Sequence, residues 1–185
     1  MPGPMRGRPS SANAILDAAL DLLDGGGTIS IESVANAAGL TKPGLMYHFG
    51  TKAALMDALV DHVVDSLESE LLRRLPVPAD RTTAAQRHRA YLEWALDCPH
   101  RRCELVMFSD PRLMSRLTQR WTERFDSWVA LPADMSPLQR ARLHSARLIA
   151  DGSWLADTTE TFPLSGADRQ QVLELGLALL EEDAS

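Results

Sequence analysis

Residues 28 to 52, TISIESVANAAGLTKPGLMYHFGTK, leave the chain little choice of local structure. Ser30 is a good helix cap, and Ile31, Val34, Ala35 and Ala38 follow it at three- and four-residue intervals, the spacing of one helical face. Gly39 tolerates the left-handed backbone that closes a helix, and Leu40 can then fold back on that face. Thr41 caps a second helix, with Pro43 in its first turn, where a missing N–H is harmless. Leu45 and Phe49 point inward to dock on the first helix, and small Ala35 permits a close crossing. The stretch is expected to form a helix-turn-helix.

Thr41, Lys42, Gly44, Tyr47 and His48 are left facing outward on the second helix. They gather hydrogen-bonding groups at the positive helix pole, an end that suits phosphates and base edges. Here the sequence resembles the TetR family of transcriptional repressors, whose DNA-binding motif runs approximately V-A-x-x-A-G-[VL]-[ST]-K-x-x-L-Y-x-H-F-x-x-K-x-x-L. Val34, Ala35, Ala38, Gly39, Leu40, Thr41, Lys42, Leu45, His48, Phe49, Lys52 and Leu55 match it in register. Met46 stands where the family usually has tyrosine, and the ring comes one residue later as Tyr47. The resemblance implies phosphate or base contacts from Thr41, Lys42 and His48, with Gly44 allowing close backbone approach. With the flanking positions Pro43, Met46, Tyr47 and Lys52, and with Arg6 and Arg8 of the preceding arm, these residues make up the expected DNA-binding set.

The net charge of -6 would argue against nucleic acid if it were evenly spread. It is not. Residues 1 to 52 hold four basic residues, Arg6, Arg8, Lys42 and Lys52, all in or beside the motif, while residues 148 to 185 hold eight acidic residues against Arg169 alone. Ala, Leu, Arg, Glu and Asp dominate and β-branched runs are few, which favours an all-α protein. The two cysteines, Cys98 and Cys103, make no disulfide framework, and neither a signal peptide nor a membrane-length apolar run appears, so a cytoplasmic protein without membrane attachment is expected.

MPGPMRGRPSS reads as a flexible arm, residues 1 to 9, leading to a helix opened by Ser10 or Ser11. Ile15, Leu16, Ala19, Leu22 and Leu23 form that helix's buried stripe, and Gly25 to Gly27 stop it. The glycine run lacks the Gly-Lys-[Ser/Thr] ending of a phosphate loop and follows a helix rather than a strand, so nucleotide binding is not expected. A long helix runs from near Lys52 to Pro76 on Leu55, Met56, Leu59, Val63, Leu67, Leu71 and Leu72. Residues 76 to 83, PVPADRTT, mark a boundary. The DNA-binding domain is therefore expected over 10–52, extending into the linking helix 52–75, and a second domain over 76–185.

Further helices are expected from Thr83 to Asp97, Arg101 to Phe108, Pro111 to about Leu131, Pro137 to about Thr158, and after Ser165. That makes nine, the usual TetR-like layout. The region 83 to 162 holds all four tryptophans, and Trp94, Met107, Phe108, Trp121, Phe125 and Trp154 are the candidates for an apolar effector pocket. Aromatic stripes at helical spacing are also ordinary core, and the ligand-responsive reading comes from the resemblance. Cys98, His100 and Cys103 fit no common closed zinc pattern, so neither a metal nor another cofactor is expected.

The last two helices combine small residues, Ala141, Ser145, Ala146, Gly152, Ser153, Gly176 and Ala178, with leucines, and could pair with the same helices of a second copy to set two reading heads on successive major grooves about 34 Å apart. The expectation is an all-α dimeric regulator, a repressor that binds a palindromic operator in double-stranded DNA and is released by a small apolar effector. An adaptor that binds protein is the competing class. A small metal- or thiol-dependent enzyme ranks behind it, because no nucleophile-base spacing or cofactor loop is present.

Overall fold

Helix α1 (Ala12–Asp24) buries Ile15, Leu16, Ala19 and Leu23, the stripe expected of it, while Leu22 is half-buried. Leu22 lies over the glycine run that follows: a Cβ on Gly27 would stand 2.5 Å from its Cδ1, so only glycine fits there. These observations come from a computed structural model, which describes residues 12–97 and 99–181. Arg6 and Arg8, and the residues read as the arm, lie outside the described residues, as does Cys98.

Two compact units divide the chain, Met1–Val63 with Leu105–Trp121 and Val64–Glu104 with Thr122–Ser185. In the first, α2 (Ile31–Ala37) packs on α1, and α3 (Lys42–Phe49) packs on α2. Helix α4 (Lys52–Arg74) passes through both units, as does α6 (Met114–Val129). Along α4 the residues Leu55, Met56, Leu59, Val63, Leu67 and Leu71 are buried as the periodicity predicts, whereas Leu72 is 49% exposed. Leu71 already fills the core-facing position of that turn, and its neighbour is rotated about 100° away from it.

In the second unit α5 (Ala84–Asp97) is the central element, packed on α7 (Pro137–Thr158) and α8 (Gly166–Ala178). Leu92 of α5, fully buried, presses against Gly176 of α8, where a Cβ would come within 2.7 Å of its Cδ2. A buried ion pair fastens α8 to α7: Arg169 Nη2 donates to Asp157 Oδ1 at 2.7 Å, and Nη1 lies 3.4 Å from Ser153 Oγ. Ser136 and Ser165 cap α7 and α8, and Ser136 forms a reciprocal capping box with Gln139.

All described residues are helix, turn or coil, with no strand among them, so the chain is all-α. Each of the nine expected helical segments is present, and a short 3-10 turn, Ala79–Arg81, adds to them inside the proline-rich stretch. Two segments differ in detail. Arg102–Phe108 is 3-10 rather than α-helix, broken at Leu105, because it is a short piece held by Glu104 N–H to Arg101 O and Ser109 N–H to Val106 O bonds. Helix α6 starts at Met114 instead of Pro111, because Asp110 first closes a turn: its carboxylate accepts Arg112 N–H at 2.9 Å and its carbonyl accepts Leu113 N–H at 3.0 Å. No helix among the described residues is long and apolar enough to cross a membrane.

Candidate nucleic-acid interface

Serine, glycine and threonine place α3. Ser30 Oγ accepts Ser33 N–H at 3.0 Å, and Ser33 Oγ returns the bond by accepting Ser30 N–H at 2.9 Å, so α2 starts at a fixed point. Gly39, at φ +65°, turns the chain, and Leu40 N–H bonds back to Ala35 O at 2.8 Å. Thr41 then opens α3, its Oγ1 accepting Gly44 N–H at 3.2 Å. Gly50, also at φ +65°, ends α3, and Thr51 Oγ1 accepts Ala54 N–H at 3.1 Å to begin α4. Both helices of the motif are short, so these caps and the apolar seam hold them rather than helix propensity.

The seam is made by Val34, Ala35, Ala38 and Leu45, all buried, with Leu45 fully so. Opposite Leu45, α3 shows water a polar and aromatic surface: Thr41, Lys42, Pro43, Tyr47 and His48 are exposed, and Gly44 and Met46 are half-buried. Tyr47 is 89% exposed, its ring edge-on to His48 with centroids 5.7 Å apart. A bulky ring so fully in water does nothing for the core. At Gly44 a Cβ would stand 3.3 Å from Thr41 Oγ1, so any side chain there would crowd the cap.

Two lysines of the set are engaged within this unit. Lys42 Nζ lies 2.5 Å from Glu32 Oε1 and Lys52 Nζ 2.5 Å from Asp110 Oδ2. Each carboxyl is held below the usual carboxylate range, first by the hydrogen bond from its lysine. The acidic stretch of α4 is paired as well. Arg116 Nε donates to Asp57 Oδ1 at 3.0 Å and Arg120 Nε to Asp61 Oδ1 at 2.8 Å, while His62 Nε2 lies 2.7 Å from Asp17. Arginines at four-residue steps on one segment and aspartates at the same step on another were the available signal.

The candidate effector residues fall in both units. In the second, Trp94 stacks on Tyr91 at 5.6 Å between centroids, and Phe125 meets Tyr91 edge-on at 5.2 Å. Trp154 Nε1 donates to Glu104 Oε2 at 2.8 Å; the same oxygen lies 3.0 Å from Nδ1 of His100, whose ring packs on Trp94. Trp94 and Phe125 are buried and Trp154 half-buried. Tyr91, Glu104 and His100 thus join three of the rings, and sequence periodicity did not single them out. Met107, Phe108 and Trp121 belong to the first unit, where Met107 is buried, Phe108 is 50% exposed and Trp121 half-buried. No group of three metal-ligating side chains occurs among the described residues.

Capped α2, a glycine turn, and α3 with one side buried and the other polar make a helix-turn-helix of the DNA-reading kind. The comparisons with known proteins give the family. Residues 15–59 match the profile described as bacterial regulatory proteins, tetR family, and residues 85–181 match tetracyclin repressor-like, C-terminal domain. The chain belongs to the TetR family and is a DNA-binding transcriptional regulator.

Solved structures agree on the fold. A TetR family member from Streptomyces coelicolor A3 superimposes with a TM-score of 0.62 at 19% identity, over 94% of this chain and 100% of that one. NalD, the secondary repressor of the MexAB-OprM multidrug efflux pump in Pseudomonas aeruginosa, gives 0.55 at 21% identity, over 92% and 96%. The ketosteroid regulator KstR2 of Mycobacterium tuberculosis gives 0.52 at 18% identity, over 96% of each chain. A search of curated proteins returns no match.

Proposed function

We propose that the protein is a homodimeric repressor that binds a near-palindromic operator through α3 and is released from it by a small apolar effector. The observation that carries this reading is the contrast across one helix: Leu45 is fully buried, while Tyr47, one half-turn on, is 89% exposed beside His48 in the last turn of α3. Thr41, Lys42, Gly44, Tyr47 and His48 touch phosphates and base edges, with Pro43 and Met46 along the same helix. Lys52, at the start of α4, exchanges Asp110 for a backbone phosphate, and Arg6 and Arg8 reach the neighbouring groove. In this reading residues 10–52, continuing into 52–75, carry DNA binding, and 76–185 carry the effector and the dimer.

The dimer reading is supported by an apolar stripe on α7. Leu138, Leu148 and Leu155 are 61%, 59% and 48% exposed, and Ala141, Ser145 and Gly152 lie exposed between them at alternating three- and four-residue steps. On α8, Leu175 is 70% exposed. Such a stripe is the seam of a helix pair that a second copy would cover, and a two-fold pair suits a two-fold operator. Of the other small residues on these helices, Ala146, Ser153 and Gly176 are buried inside the unit, so the exposed set is the one available to a partner.

For release, the buried rings of Trp94 and Phe125 with Tyr91 supply an apolar environment an effector could enter, and effector binding shifts the population away from the DNA-bound form. The test is fluorescence anisotropy on DNA from the region adjoining its own gene, with light scattering on the same sample. Tight, salt-dependent binding by a dimer is expected, lost on adding an apolar aromatic compound that also quenches tryptophan emission. A monomer that ignores DNA at low salt would refute the reading.

A further inference from the structure

Away from the aromatic set, a cavity of about 720 Å³ opens in the second unit at the start of α5, the turn before α7 and the end of the last helix. Its lining mixes polar side chains with apolar ones, Ala84, Leu143 and Leu180 among them, and includes two guanidinium groups, Arg87 and Arg142. That volume falls within the range of small-molecule sites, roughly 300–1,000 Å³.

Arg87 is held in an unusual way. Its Nη1 donates to Thr82 O at 3.1 Å and its Nη2 to Ala130 O at 3.0 Å, while its Nε is buried with no partner. Both acceptors are neutral carbonyls, so the charge of Arg87 meets no carboxylate among the described residues. Leaving a buried donor of a charged group unmade is costly, and a charge in a partly desolvated wall calls for an opposite one. Two helices add to the field. The first turns of α5 and α7 both line the cavity, and although Thr83 with Gln86 and Ser136 with Gln139 cap them, neither contains an acidic residue, so no carboxylate of the first turn offsets the positive end of either helix. Glu181, exposed at the rim, is the only carboxylate among the lining residues.

We propose that this cavity binds an amphipathic organic monocarboxylate, its head on Arg87 between the two helix starts and its apolar body along Leu143 and Leu180. The Arg87 guanidinium, which bonds only to neutral carbonyls, matches one carboxylate head, and the aliphatic part of the lining, Leu143 with Leu180, matches a short hydrocarbon chain. The site shares no residue with the aromatic set and does not depend on the chain's binding to DNA.

Calorimetry on the full chain without DNA tests it, with octanoate, octanol and acetate as probes. Octanoate is expected to bind once per chain, and octanol and acetate at least about tenfold more weakly, since a charge-assisted hydrogen bond and a buried chain are each worth more than about 1.4 kcal/mol. Arg87→Gln removes the head contact and should weaken octanoate by a similar factor. Because Arg87 also holds two carbonyls, Ala85→Glu is the second variant. It sets a carboxylate in the lining at the first turn of α5, where an acid suits the helix, so the chain should stay folded while octanoate binding falls. Absence of octanoate binding, equal binding of octanol, or octanoate binding that survives both substitutions in folded protein would overturn the proposal.

Discussion

Lys42 and Glu32 clasp each other across the turn of the motif, with Nζ 2.5 Å from Oε1 and both side chains about three-fifths exposed, at 60% and 61%. The lysine that opens α3 is therefore balanced by the helix behind it while no phosphate is present. Lys42→Ala should weaken DNA binding and make the slope of log affinity against log salt shallower by about one counterion. Glu32→Gln should tighten binding at low salt, because the lysine no longer has to leave a carboxylate. Anisotropy titrations over a salt series measure both, and an unchanged slope in Lys42→Ala would remove that residue from the interface.

Leu45 and Tyr47 lie on opposite sides of one short helix, so their substitutions should separate folding from binding. Leu45→Ala removes a fully buried side chain and should cost about 2–5 kcal/mol in stability. Tyr47→Ala alters a residue already in water and should leave the denaturation midpoint where it was, yet reduce DNA affinity. Urea unfolding and DNA titration on the same two variants give the comparison.

The Asp157–Arg169 pair, with side chains 2% and 10% exposed, is the ionic fastening between α7 and α8. Removing one partner leaves the other buried and uncompensated, so Asp157→Ala should destabilise by about 3–5 kcal/mol. Replacing both together, Asp157→Leu with Arg169→Met, should recover much of that loss. A double-mutant cycle by chemical denaturation reads the coupling directly.

His88 is buried, its Nδ1–H donating to Ala84 O at 2.8 Å and its Nε2 without a partner. Burial is the main cause that pushes its pKa down, and Arg87, His144 and Arg147 push the same way. In the unfolded chain the imidazole takes up a proton at about pH 6.5, which the native chain resists. Stability contributed by the neutral ring is therefore present above about pH 6.5 and is lost as the pH falls from there toward the lower folded pKa. Melting curves between about pH 7 and pH 5 should show a steeper decline for the native sequence than for His88→Gln.

Local signals carried most of the fold. Ser30, Gly39, Thr41, Ser136 and Ser165 each fix a helix end through bonds to neighbours within a few residues, and Ser30, Gly39 and Thr41 do so as the motif's spacing predicts. The stripe of α4 is likewise a property of its own spacing. Partners were much less legible. Lys52 and Asp110 are 58 residues apart, and Arg116 and Asp57 are 59 apart, so only the packed structure brings them together. The start of α6 was misplaced because Asp110 spends its carboxylate and carbonyl on a turn, a competition that apolar periodicity does not register. At the aromatic residues, spacing neither separated buried Trp94 and Phe125 from Phe108, which is 50% exposed, nor showed that Glu104 would bridge Trp154 and His100.

The central claim is that the exposed side of α3 reads DNA. Its most direct test is to mix the purified chain with sheared genomic DNA of its own source at low ionic strength, recover the bound fragments and sequence them. Enrichment of a palindrome with half-sites about one helical turn apart is expected, together with its loss in a folded Lys42→Ala, Tyr47→Ala, His48→Ala triple variant. Fragments recovered no differently from bulk DNA, or an enrichment that the triple variant retains, would contradict the account.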